Sequence, residues 1–209
     1  AIFDADRCVA VNPSDTAPAL IALDAQMVIR RGGSEMVVPA QDFFVGPGVD
    51  ITRLTMLQPG DLLTAVRIPG TWAGKPYYFE KVRDRQVWDF ALVNVASAIN
   101  VSGTTISEAR LVVNGVSARP YRLEAVEAFV RGKARDEQTA EQAGELAVQG
   151  ALPLRHNAYK VPLMKALVKR EAARYGVTLT HSELVGMIPQ AALVEAAQWY
   201  LQLDNLSSE

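Results

Sequence analysis

Lys81, Trp88, Asp89 and Phe90 are the residues of this 209-residue chain whose types and spacing best suit ligand chemistry. They fall in "YYFEKVRDRQVWDFALVNVASAI", where charges at Glu80, Lys81, Arg83, Asp84 and Arg85 give way to a large aromatic and then to a small, apolar run. Alternate residues of a strand share a face, so Tyr77, Phe79 and Lys81 line one side and Tyr78, Glu80 and Val82 the other. Lys81 beside two aromatics reads either as a cation held against a flat, electron-rich ligand or as a lysine snorkelling from a strand end. The residues alone favour the second reading. Trp88 and Phe90, two apart, line one wall of a site or pack into a core, and again packing is favoured. Asp89 between them caps a turn or accepts a hydrogen bond.

Other chemistry finds little support. Cys8 is a lone thiol, which beside a strand is usually a small buried hydrophobe. His156 and His181 read as surface or capping residues, and Ser182 lacks the G-x-S-x-G setting of a nucleophile. With one cysteine and two distant histidines, no zinc or iron–sulfur spacing exists, so no metal ligand and no catalytic residue is assigned. "GPG" at 46–48 is not followed by the helix a dinucleotide fingerprint needs. The net charge is -2 with acids and bases interspersed, which excludes a basic nucleic-acid footprint. No apolar run reaches the roughly 20 residues of a membrane span. The single cysteine fits a reducing, cytoplasmic setting.

The elements that must position these residues give an α+β class. Residues 8–11 read as a short strand. "NPSDTAPALIALDAQ" reads as a helix capped by Ser14 or Asp15, with Pro18 in its first turn. "MVIRRGGSEMVV" is a hairpin around Gly32-Gly33. "FFVGPGVDITR" is a loop, "QPGDLLTAVRIP" a turn and a strand, and 70–76 a linker. Strand-like runs follow at 77–83, 90–101 and 105–113, then helices at 122–131, 136–149 and about 162–175. A strand with a turn, "VTLTHSELVGMIP", and an amphipathic helix close the chain.

Five strings, "CVAVNPSDTAPALIALDAQMVI", "DFFVGPGVDITR", "LQPGDLLTAVRIP", "YYFEKVRDRQVWDFALVNVASAI" and "ARLVVNGVSARPYR", resemble in order the FAD-binding medium subunit of the molybdenum hydroxylases. That family includes xanthine dehydrogenase, aldehyde oxidoreductase and carbon monoxide dehydrogenase. The resemblance covers residues 1–168. It implies the C-terminal part of an FAD-binding lobe over 1–70, then a C-terminal lobe over 77–168 built on a three-stranded antiparallel sheet with helices. It also implies an electron-transfer role, in which FAD takes electrons from 2Fe–2S clusters on a small subunit, fed by molybdopterin on a large one. By the same resemblance Asp15, Leu63, Lys81, Trp88, Asp89 and Phe90 contact or flank the FAD. Asp15 keeps its rival role as a helix cap.

Two departures qualify this. The family's glycine-rich pyrophosphate loops lie upstream of the point where this sequence starts, so FAD binding is expected to be weak or absent and the isolated chain inactive. Residues 169–209 carry a tail, most specifically "SELVGMIP", that resembles the C-terminal end of glutamate formiminotransferase. It joins inside the helix at 162–175, and no catalytic residue comes with it. Three readings therefore stand: a truncated flavin-binding subunit of an oxidoreductase, a non-catalytic α+β fragment or fusion that binds no cofactor, and a folate-dependent transferase fragment. An uncovered strand edge near residues 8–30 is expected to drive self-association.

Overall fold

In the computed structural model, which describes residues 1–5 and 7–173, the chain folds as two small antiparallel sheets with helices between and behind them. The first part holds α1 (Thr16–Ala22), β1 (Gln26–Arg31), β2 (Ser34–Pro39), α2 (Ala40–Phe43) and β3 (Leu62–Arg67). The second holds β4 (Tyr77–Val82), β5 (Val93–Ser102), β6 (Thr105–Asn114), β7 (Tyr121–Arg122), α3 (Glu124–Val130), α4 (Glu137–Ala147) and α5 (Lys160–Ala173). Strand order is β2-β1-β3 in one sheet and β4-β5-β6-β7 in the other.

The β1–β2 hairpin follows from Gly32-Gly33. Both take positive φ, +54° and +88°, the conformation a two-residue hairpin turn demands, and they set Arg31 opposite Ser34. The three long strands of the second sheet form where alternation and apolar runs place them, and β7 adds a two-residue fourth at the edge. Its two faces are covered differently. Val82, Val93, Val95, Ile99, Leu111 and Val113 meet α3, α4 and α5 in the larger core. Ala96 and Val112 on the opposite face meet Ile21, Ala22, Met27 and Ile29 of the first part in the smaller core. The small Ala96 lets α1 lie close on the sheet. Each fully buried Leu, Ile, Met or Val contributes about 1.5–3 kcal/mol, so the larger core dominates.

Polar contacts stitch the seam between the two parts. The Trp72 indole N–H donates to Asp24 Oδ2 at 2.8 Å and Arg110 Nε donates to Asp24 Oδ1 at 3.1 Å. Arg122 Nη1 donates to Gln41 Oε1 at 2.8 Å. Residues 70–76 are thus an anchored connection, opening with a short 3-10 turn in which Trp72 is buried.

Several expectations are corrected. Residues 8–11 form no strand, because no neighbouring strand pairs with them. Residues 90–92 are loop, and β5 starts at Val93. The uncovered strand is not near 8–30: β1 pairs on both sides, whereas β3 is exposed along its whole length, with Leu62, Leu63 and Val66 open to solvent. The tail strand and helix, with His181 and Ser182, lie outside the described residues.

Candidate functional site

The site grows from the start of α1. Asn12 Oδ1 accepts the Ser14 N–H at 3.0 Å, and Ser14 Oγ accepts the Ala17 N–H at 3.1 Å. Ser14 therefore supplies the side-chain cap, and Asp15 makes no cap hydrogen bond. Its carboxylate turns instead to the second sheet. Lys81 Nζ donates to Asp15 Oδ2 at 2.6 Å and to the Asp89 carbonyl at 2.5 Å. Asn94 Nδ2 donates to Asp15 Oδ1 at 3.2 Å. Lys81 is largely covered by these partners, whereas the Asp15 side chain stays 43% exposed.

The loop after β4 is shaped by Asp89. Its Oδ2 accepts the backbone N–H groups of Asp84 and Arg85, both at 2.9 Å, and Arg85 Nη2 donates to the Trp88 carbonyl at 2.8 Å. Burial pushes the Asp89 carboxyl up. The N–H groups of Arg85 and Asp84, with the Arg85 charge, outweigh it and hold the carboxyl below the ordinary carboxylate range. This closure leaves Trp88 at φ +54°, an outlier for a bulky residue. Trp88 is 93% exposed and Phe90 71% exposed. The core-packing reading of this pair is overturned: the loop turns back at Trp88 before the chain enters β5, so neither ring reaches the interior.

On β4, Tyr77 and Phe79 share the face of Lys81 and are open to solvent. On the other face, the Tyr78 hydroxyl donates to Glu80 Oε2, and Glu80 Oε1 accepts from Arg170 Nη1 at 2.5 Å. The structure thus brings Asp15, Lys81 and Asp89 together by hydrogen bonds, with Trp88 and Phe90 flanking Asp89 in the chain. Leu63 stands on β3 in the other sheet, opposite Ile29, and is not in that hydrogen-bonded group. Asn12, Asn94 and Asn114 were not singled out from sequence. The signal was an asparagine inside each of two apolar runs, "ALVNVASAI" and "LVVNGV". Among the described residues no cluster of histidine, cysteine or acid suits a metal ion, and no helix is long and apolar enough to cross a membrane.

Fold and site together define a two-part α+β protein with a Lys81–Asp15 ion pair at the seam and two exposed aromatics, Trp88 and Phe90, in the loop after β4. Residues 7–71 match the model of the FAD binding domain in molybdopterin dehydrogenase. Residues 77–174 match the CO dehydrogenase flavoprotein C-terminal domain. The chain is 35% identical to the aldehyde oxidoreductase FAD-binding subunit PaoB of Escherichia coli, over 77% of this chain and 47% of that protein. It is 29% identical to the carbon monoxide dehydrogenase medium chain of Hydrogenophaga pseudoflava, over 76% and 55%. The solved structure of that organism's carbon monoxide dehydrogenase, lacking the Mo-pyranopterin moiety of its cofactor, superposes with a TM-score of 0.68 at 29% identity, over 77% of this chain and 56% of that one. Over these two domains the chain is similar to the FAD-binding medium subunits of the molybdenum hydroxylases. It spans about half the length of the curated relatives it matches. A further match, to the formiminotransferase domain, covers residues 153–208. Over 51 residues the identity to glutamate formimidoyltransferase of Thermoplasma acidophilum is 50%.

The residues present fit a flavin ring. The exposed aromatic side chains of Trp88 and Phe90 offer faces for a flat heterocycle, and the half-exposed Asp15 carboxylate offers an acceptor.

Proposed function

We propose that this chain is an FAD-binding electron-transfer subunit of a molybdenum hydroxylase-type oxidoreductase. The observation that carries the reading is Lys81, clasped at 2.6 Å by Asp15 from the first matched domain while Trp88 and Phe90 stand exposed beside its second partner, Asp89. FAD supplies hydride and single-electron exchange when bound; the protein's part is to hold and tune it. Lys81 places a positive charge at the ring edge, and Asp15 and the Asp89 carbonyl fix its direction. Trp88 and Phe90 shield one side of the ring from water. Leu63 contributes to the ring contact from β3. The division at 1–70, 77–168 and 169–209 assigns the ring wall to the seam of the first two parts. The electrons come from a 2Fe–2S small subunit, supplied in turn by a molybdopterin-binding large subunit. The exposed edge of β3 is available for contact with another chain. A cytoplasmic setting agrees with the single free cysteine.

Titration of the purified chain with FAD, read by quenching of flavin fluorescence, tests this with Lys81→Ala and Trp88→Ala alongside. Weak but saturable binding, reduced at least tenfold further in both variants (about 1.4 kcal/mol or more), is the expected result. No saturation at high FAD refutes it and leaves the reading of a non-catalytic fragment.

A further inference from the structure

Two buried amides lie beneath the Asp15–Lys81 pair. Asn94 and Asn114 face each other across β5 and β6, each 1% exposed. Asn94 Nδ2 donates to Asp15 Oδ1, as described above. Asn114 Nδ2 donates to the Ser14 carbonyl at 2.7 Å and to Asn12 Oδ1 at 3.4 Å. The orientation of both amides is dictated by chemistry: a carboxylate and a backbone carbonyl only accept, so each asparagine must turn its nitrogen toward α1. Each carbonyl oxygen then points away. Asn94 Oδ1 and Asn114 Oδ1 are both buried without a hydrogen-bond partner among the described residues.

Stability alone does not call for this arrangement. The neighbours on the same sheet face are Ala96 and Val112, both in the apolar seam core, so an apolar side chain suits either position. A buried acceptor left without a donor costs stability, and such groups in a native fold call for an explanation. Both amides spend their donors on one turn, residues 12–15, whose outward product is the Asp15 carboxylate.

Resting on the function proposed above, we infer that Asn94 and Asn114 are positioning residues of the flavin wall. They lock the turn 12–15 so that Asp15 meets Lys81 in one geometry. Their orphaned carbonyls are the stability forgone for that placement. Neither residue touches the flavin itself.

Asn94→Val tests this, since water can replace the lost donor at the half-open Asp15. The expected result is FAD affinity reduced about tenfold while the urea midpoint is unchanged or raised. Asn94→Ser, which is smaller and keeps a hydroxyl, serves if the valine variant does not fold. A second arm needs no flavin. The coupling between Asp15→Ala and Lys81→Met in the unfolding equilibrium is expected to be at least about threefold in the parent chain and to vanish in the Asn94→Val background. Unchanged affinity in a variant of a chain that does bind FAD, or undiminished coupling, overturns the inference. A parent chain that binds no FAD refutes the functional proposal instead, and the coupling arm still decides whether Asn94 positions Asp15.

Discussion

Replacing Trp88 with glycine is expected to make the protein more stable and a worse flavin binder. Trp88 sits at φ +54°, where an L-residue pays about 1–2 kcal/mol relative to its ordinary wells. Glycine pays no such steric cost, but its unfolded chain is freer, which returns about 0.4–1 kcal/mol. The indole offers little in compensation, because only 7% of the side chain's residue surface is covered, worth less than about 0.5 kcal/mol. The balance is a gain of about 0.5 kcal/mol, or roughly 1–2 °C in melting temperature for a chain of this size. Urea unfolding followed by far-ultraviolet circular dichroism measures it, with an FAD titration of the same sample. A loss of more than about 1 kcal/mol would show that Trp88 packs against something and that its strain serves the fold. Retained flavin affinity would show that the ring wall does not need it. Either result refutes the reasoning that this loop holds a strained, exposed aromatic for a ligand.

Gly144→Ala sets two known effects against each other. Alanine gains about 0.8–1 kcal/mol of helix propensity, yet its Cβ would lie 2.9 Å from the Lys165 carbonyl oxygen and 3.3 Å from Lys169 Cβ on α5. Overpacking against a helix backbone costs about 1–3 kcal/mol, so a net destabilisation of about 1 kcal/mol is expected in a thermal melt, and a stabilised variant would mean the two helices part freely. Lys160 gives a pH signature. Burial pulls its ammonium down to about 8 while it donates to the Gly115 carbonyl at 2.6 Å. Between about pH 8 and its ordinary value of 10.5 the unfolded chain holds the proton and the folded chain does not, so stability rises with pH across that window. The urea midpoint of the parent chain should climb relative to that of Lys160→Met over this range; parallel profiles would show that Lys160 is not desolvated.

What could be read from sequence was what is local. The hairpin needs only Gly32-Gly33 between apolar runs, and the three long strands of the second sheet need only their alternation and length, so both were visible. The alternation of Tyr77, Phe79 and Lys81 against Tyr78, Glu80 and Val82 held because the period of a strand is fixed. The failures share one cause, dependence on distant partners. Residues 8–11 have strand composition but no strand beside them, and β7 exists only because Val112 and Val113 lie opposite Arg122 and Tyr121. The choice between Ser14 and Asp15 as cap was undecidable locally, since it is settled by Lys81, which lies 66 residues away. Hydrophobicity alone favours core packing for Trp88 and Phe90, a rule that runs one way only, whereas the family resemblance sets them beside a ligand. Their exposure is dictated by a carboxylate hydrogen bond, Asp89 to the N–H groups of Asp84 and Arg85, that composition does not reveal.

The same distinction explains how α5 can fall within matches to two families. The flavoprotein and formiminotransferase matches overlap over residues 153–174, yet Leu163, Met164, Leu167, Val168 and Ala172 all sink into one core. Apolar packing asks for spacing and approximate volume, so a helix with the right stripe seals the sheet whichever family it comes from. Polar groups ask for direction as well, and there the fit is poorer. Arg170 reaches Glu80 through Nη1 at 2.5 Å, but its Nε and Nη2 are buried with no hydrogen-bond partner among the described residues. The packing of α5 is therefore carried by the non-directional part of the interaction. Periodicity in the sequence can announce that α5 will pack, while only the structure shows what that packing leaves unpaired.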